Sequence, residues 1–190
     1  MRNNSIFQLI EKNAVWKIIS VMLFFTLILS TIIMLDVIPR LKLNSNGLTL
    51  PDAIIGYNVE YARKWLTTTS SEGLRLYLHY FFILDSIYPL ISAISFTLII
   101  SALFKRIVSP DSRIKGIIIL PFAAAFCDYF ENIGVFFMIS SLPDFNPNVA
   151  LITSIFSSFK WILGALVVLL ILTGSILYLI KYLRSRICKT

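Results

Sequence analysis

The sequence predicts an all-α integral membrane protein: a four-helix bundle with an amphipathic extracytoplasmic helix between its first and second spans. Composition is the first observation. Hydrophobic residues make up 57% of the 190-residue chain, charged residues 14%, and the mean hydropathy is +0.83, against about 45–50% and about 25% in soluble domains. Second, the apolar residues gather into four blocks, each long enough for the ~20 helical residues that cross about 30 Å of hydrocarbon. Third, the basic residues stand at the ends of those blocks. A single membrane domain, residues 1–190, follows, with no stretch left over for a separate soluble domain.

The first span is read as residues 15–39. Arg2, Lys12 and Lys17 precede it like the basic region of a signal peptide, but the block is too long for one and no small-residue cleavage site follows. It is expected to stay uncleaved and to end at Pro39-Arg40. An outer loop covers 40–76, and the remaining spans are 77–103, 116–139 and 152–180. With the N-terminus inside, the inner segments hold Arg2, Lys12, Lys17, Lys105, Arg106, Arg113, Lys115, Lys181, Arg184, Arg186 and Lys189, the majority of the 17 Lys and Arg residues. Positive residues near short loops stay cytoplasmic, so both termini are expected there.

Within the outer loop, Thr49-Leu50-Pro51-Asp52 reads as an N-cap followed by proline at the first helical position and an acid soon after. Ile55, Val59, Ala62 and Leu66 then recur at helical spacing, with Asn58, Glu60, Arg63 and Lys64 elsewhere on the wheel. An amphipathic helix ending near Trp65 is expected, lying on the outer membrane surface or across the mouth of the bundle. Thr67 to Gly73 reads as the turn into the second span.

Several function classes fit poorly. The net charge of +7 sits at block ends and not in a patch with interleaved aromatics, so nucleic acid is not an expected partner; membrane lipids are. Cys127 and Cys188 form no C-x-x-C pair, which argues against a structural disulfide or thiol-redox chemistry. His79 is the sole histidine; no H-E-x-x-H, G-x-S-x-G or paired axial ligand set is present, so no metal and no cofactor is expected.

What remains is a set of polar residues inside the spans, where an ionised side chain costs about 2.5–3.5 kcal/mol at a helix centre. The second span carries Asp85, with Tyr88, Ser92 and Ser95 continuing one stripe; the third carries Asp128, Glu131 and Asn132 on a face with Ala124 and Ala125. The fourth places Lys160 between Ser157 and Gly164, while Asp36 and His79 lie nearer the outer ends. At 1.5 Å per residue, Asp85, Asp128, Glu131 and Lys160 all fall at the midplane or in the outer half. Pro89 cannot donate to the carbonyl of Asp85, four residues earlier, which places a free carbonyl beside that carboxylate. Three acids against one lysine require protons, a cation or a basic ligand to balance. Asp85, Tyr88, Asp128, Glu131, Asn132 and Lys160 are therefore the candidate site for a small cation, a proton or an amphipathic ligand, with a purely structural ion-pair network as the bland alternative. The candidate catalytic pair is Asp85 and Asp128, on neighbouring antiparallel helices, as an acid/base dyad sharing one proton. A tunnel from the cluster to the lipid phase would favour chemistry on a lipid; a sealed network would favour the structural role.

Gly56-Tyr57, Gly73-Leu74-Arg75, Leu84-Asp85 with Tyr88-Pro89, Pro121 with Asp128-Tyr129-Phe130-Glu131-Asn132, and Ser157 with Lys160-Trp161 resemble a group of bacterial four-helix integral membrane proteins that carry a D-Y-x-E-N element in the third helix and have no assigned activity. The resemblance implies the architecture and a bacterial inner (cytoplasmic) membrane setting. The lipoprotein signal peptidases share the four-helix plan and two outward-facing aspartates, but their asparagine–aspartate motifs are absent here. The expectation is a multi-pass membrane protein with a carboxylate-rich cluster in the outer half of the bundle that binds a cation, proton or amphipathic ligand, or serves structurally. The alternative is an intramembrane enzyme, an aspartyl-type hydrolase or isomerase, acting on a lipid or lipid-linked substrate.

Overall fold

The computed structural model describes residues 5–107 and 113–187; Arg2, Cys188 and Lys189, used above, lie outside the described residues. Every regular element among the described residues is helical. Four helices are long and apolar enough to cross a membrane: α2 (Trp16–Asn44), α4 (Ser71–Phe104), α5 (Gly116–Ser140) and α6 (Pro147–Ile187), whose span is Pro147–Ser185. A short helix, α1 (Ser5–Asn13), precedes them, and α3 (Val59–Thr68) lies between α2 and α4. The most extensive interface is α5 on α6; α4 packs on α2, α5 and α6, so it is the central helix.

α2 runs through Pro39 to Asn44 and does not stop there. A π-helical turn, Ile33–Val37, precedes a fresh α-helical segment, and Pro39 sits at its start, where a missing N–H costs least. Arg40 pairs with Asp36 one turn back. The true stop is Asn46-Gly47: both have positive φ, and Gly47 N–H returns 2.8 Å to the Lys42 carbonyl.

The loop helix also begins later than its proline suggested. Pro51–Ala53 form only a single 3-10 turn, Gly56 turns the chain at φ +65°, and α3 starts after Asn58, whose side chain caps it by accepting the Tyr61 N–H at 2.8 Å. Ile55 is consequently outside the helix and exposed. The two faces of α3 are nevertheless those of the periodicity. Ala62, Trp65 and Leu66 are buried, while Glu60, Arg63 and Lys64 face outward. Trp65 packs edge-on against Tyr77 of α4 at 5.4 Å between ring centres.

This packing makes the largest core of the molecule, at one end of the bundle. Val37 and Leu41 of α2, Leu50 and Tyr57 of the loop, Trp65 of α3, Tyr77 of α4, Val135 and Met138 of α5 and Ala150 of α6 join in one buried cluster. α3 is thus built into the bundle end, and the loop carries part of the core. α5 and α6 cross where a Cβ on Gly134 would overlap the Thr153 side chain, so only glycine permits that approach.

α4 breaks within its length. A π turn, Phe81–Asp85, is followed by a turn at Ser86-Ile87 before the helix resumes at Tyr88 with Pro89 in its first turn. Tyr129 of α5 donates to the Ser86 carbonyl at 2.7 Å, satisfying a group the break would otherwise strand.

Candidate functional site

The break in α4 turns Asp85 into the bundle, where its residue is 5% exposed. Its two carboxyl oxygens have separate neutral donors. Tyr80 OH reaches Oδ1 at 3.1 Å and Asn132 Nδ2 reaches Oδ2 at 2.6 Å. One turn before Asn132, Asp128 faces α6, and its Oδ1 lies 3.2 Å from Lys160 Nζ. The same ammonium stands 2.5 Å from Oε2 of Glu131, which is fully buried. Lys160 also donates to the backbone carbonyl of Asp52 at 3.2 Å, as does Trp161 Nε1 at the same distance. The six residues read from the sequence thus divide into two linked groups, Asp85 with Asn132 and Asp128 with Glu131 and Lys160, while Tyr88 lines the cavity described below.

The two candidate catalytic aspartates share that cavity but not a hydrogen bond. Asp85 is held by Tyr80 and Asn132, Asp128 by Lys160. Each carboxyl group has its own partners, and no hydrogen bond joins the two among the described residues. The proposed stripe on α4 is also divided: Ser92 reaches the cavity, whereas Ser95 is fully buried elsewhere with Oγ unpaired among the described residues. Asp36 and His79 stand apart, Asp36 in its ion pair with Arg40 and His79 with Nδ1 against its own helix at the Arg75 carbonyl. Cys127 is a partly buried free thiol that does not line the cavity.

That cavity has a volume of about 300 Å³. Its polar wall holds Asp52, Asp85, Asp128, Lys160, Tyr80 and Tyr88, and all four long helices contribute apolar surface: Ile33 and Met34 from α2, Ala93 and Phe96 from α4, Ala124 and Ala125 from α5, Val167 and Val168 from α6. Among the described residues no group of three or more His, Cys, Asp or Glu side chains is placed to hold a metal ion.

Asp52 is the member that periodicity missed. It reads as an acid in a helical first turn, yet the 3-10 turn brings it against α6, and Oδ1 is buried without a hydrogen-bond partner among the described residues. Burial holds its carboxyl above the usual carboxylate range; Lys160 opposes that rise and Asp128 adds to it. Tyr57 follows the same logic: burial, with Glu131 and Asp52 nearby, raises its phenol. Tyr57 OH, Tyr77 OH, Glu131 Oε1 and Asn132 Oδ1 are also buried and unpartnered among the described residues. Unsatisfied buried polar atoms are rare in folded proteins, and each asks for an explanation. No family model, curated protein or solved structure matches the chain.

Proposed function

We propose that this is a multi-pass protein of a bacterial inner membrane, with both termini cytoplasmic and α3 on the outer side, that binds an amphipathic molecule from the lipid phase in the outer half of its bundle. The 300 Å³ cavity is the observation that carries this reading. It combines a carboxylate-rich polar wall with apolar sides, the pairing that ligand pockets of this size use. A purely structural ion network would be closed by its own side chains, whereas this one borders open space and keeps buried oxygens without partners. The test is native mass spectrometry of the protein extracted in mild detergent, comparing the parent with Gly164→Phe. Gly164 lines the cavity, and a Cβ there meets nothing within 4 Å, so the ring can enter the open space. A bound amphiphile in the parent and none in the variant is expected; an empty parent returns the cluster to a structural role.

A second reading is supported by Asp85 and Asp128 lining one cavity. It is an enzyme acting on a lipid or lipid-linked substrate, with Asp128 paired to Lys160 and Asp85 as the second acid. Conversion of the bound amphiphile to a product, lost in both Asp85→Asn and Asp128→Asn, is its expected signature; bound material that is never altered removes it.

A further inference from the structure

We propose that the molecule this site takes is an amphipathic amine, with its ammonium group against Asp85 and Asp52 and its apolar chain leaving sideways between α2 and α6. The inference rests on the ligand-binding reading above and adds the charge of the ligand and its route.

Charge comes first. Among the described residues Lys160 is the one cation in the cavity wall, and it is already engaged by Asp128, Glu131 and the Asp52 carbonyl. Asp85 has only neutral donors, and Asp52 Oδ1 has none among the described residues. An entering group therefore meets two carboxyl groups that form no ion pair among the described residues. An ammonium offers three donors and the missing positive charge. A phosphate or carboxylate would meet like charge with no free lysine to receive it. A metal ion would need a converging set of oxygens, and the acids here are not so arranged.

The route follows from packing. α2 leans on α4, and α6 on α5 and α4, so α2 and α6 form no comparable interface with each other. Met34 of α2 and Val168 of α6 both line the cavity, yet they are 58% and 54% exposed on the bundle surface. The cavity thus reaches the outside of the bundle along this seam. Its volume is at the lower end for ligand pockets, which suits an amine with the first part of its chain, the rest lying outside the bundle.

The amine could be carried by a lipid headgroup or by a free alkyl chain, and the experiment separates the two. Purified protein is titrated with dodecylamine, dodecanol and dodecyl phosphate, with binding followed by thermal shift and native mass spectrometry. The amine is expected to bind, and to bind at least about tenfold more weakly to Asp85→Asn and Asp52→Asn, because each removes one charge partner. Gly164→Phe, which leaves both acids in place, is expected to block it. In nanodiscs, retention of phosphatidylethanolamine over phosphatidylglycerol identifies a headgroup amine; binding of dodecylamine without that preference identifies a free one. Either supports the proposal. Equal or tighter binding of dodecanol or dodecyl phosphate, blocked by Gly164→Phe, overturns the amine while leaving the ligand site intact. Amine binding that none of the three variants changes also overturns it. Failure of every amphiphile to bind overturns both.

Discussion

Lys160 shows at residue scale why the cluster holds together. One ammonium serves two carboxyl groups on α5 and a loop carbonyl, and Glu131 is fully buried. Removing the cation leaves buried acids uncompensated, a loss of about 3–5 kcal/mol in comparable pairs. Lys160→Met is expected to lower stability in detergent by that order, and adding Glu131→Gln to recover part of it; a double-mutant cycle reads the coupling. Strictly additive losses would mean that the pair contributes nothing. Asp52 gives a pH-dependent counterpart. Its folded-state pKa lies above its ordinary 3.8 because burial disfavours the charged form. The stability it contributes is therefore fully present below the unfolded value and lost as pH rises through the folded one. Asp52→Asn cannot ionise and keeps the backbone carbonyl that Lys160 uses. It is expected to raise the melting temperature more at about pH 8 than at about pH 4, and an equal shift at both would show that this carboxyl does not titrate with folding.

At the scale of elements, α6 acts as a rail for the loop. Ser154 Oγ accepts the Tyr57 N–H at 2.9 Å, Ser157 Oγ donates to the Ile54 carbonyl at 3.0 Å, and Lys160 and Trp161 take the Asp52 carbonyl. These side chains recur at three- and four-residue spacing, so they share one face of α6 and meet a segment running antiparallel to it. Each such bond contributes about 1 kcal/mol net, and stranding the buried Tyr57 N–H costs more. Ser154→Ala is expected to speed amide exchange at Tyr57 by about tenfold without global unfolding; unchanged exchange would show that the latch contributes nothing. Gly134 sets the α5–α6 approach that presents Asp128 and Glu131 to Lys160. Gly134→Leu must push Thr153 aside, so a loss of about 1–3 kcal/mol is expected, measurable by chemical denaturation in detergent.

For the whole molecule, the loop end of the bundle contains both the largest core and the site. α6, at 41 residues, is about 60 Å long, roughly twice the hydrocarbon thickness of a bilayer. Its later turns carry Lys181 and Arg184, and Lys181 also donates to the Arg106 carbonyl. With that basic end inside, a reporter in the loop at 40–76 is expected to behave as extracytoplasmic and one after Lys189 as cytoplasmic. The reverse pattern would overturn the proposed orientation and place the site in the inner half.

Hydropathy and composition by themselves determined that this is a helical chain with four segments able to span a membrane, because about 20 successive apolar residues need no tertiary context to be recognised. Helical periodicity likewise separated the buried and exposed faces of α3, and the rarity of charge within apolar segments picked out Asp85, Asp128, Glu131 and Lys160. Where helices start and stop was less legible: Pro39 and Pro51 read as local signals, but a π turn carries α2 past the first and the second begins only a 3-10 turn that ends at Ala53. Only the tertiary structure decided that Asp52 joins the site, that Asp85 and Asp128 take different partners, and that all four long helices line one cavity beside them. Those facts depend on which helices touch and on a loop folding back against α6, and contacts between residues about a hundred positions apart leave no periodic trace in the chain.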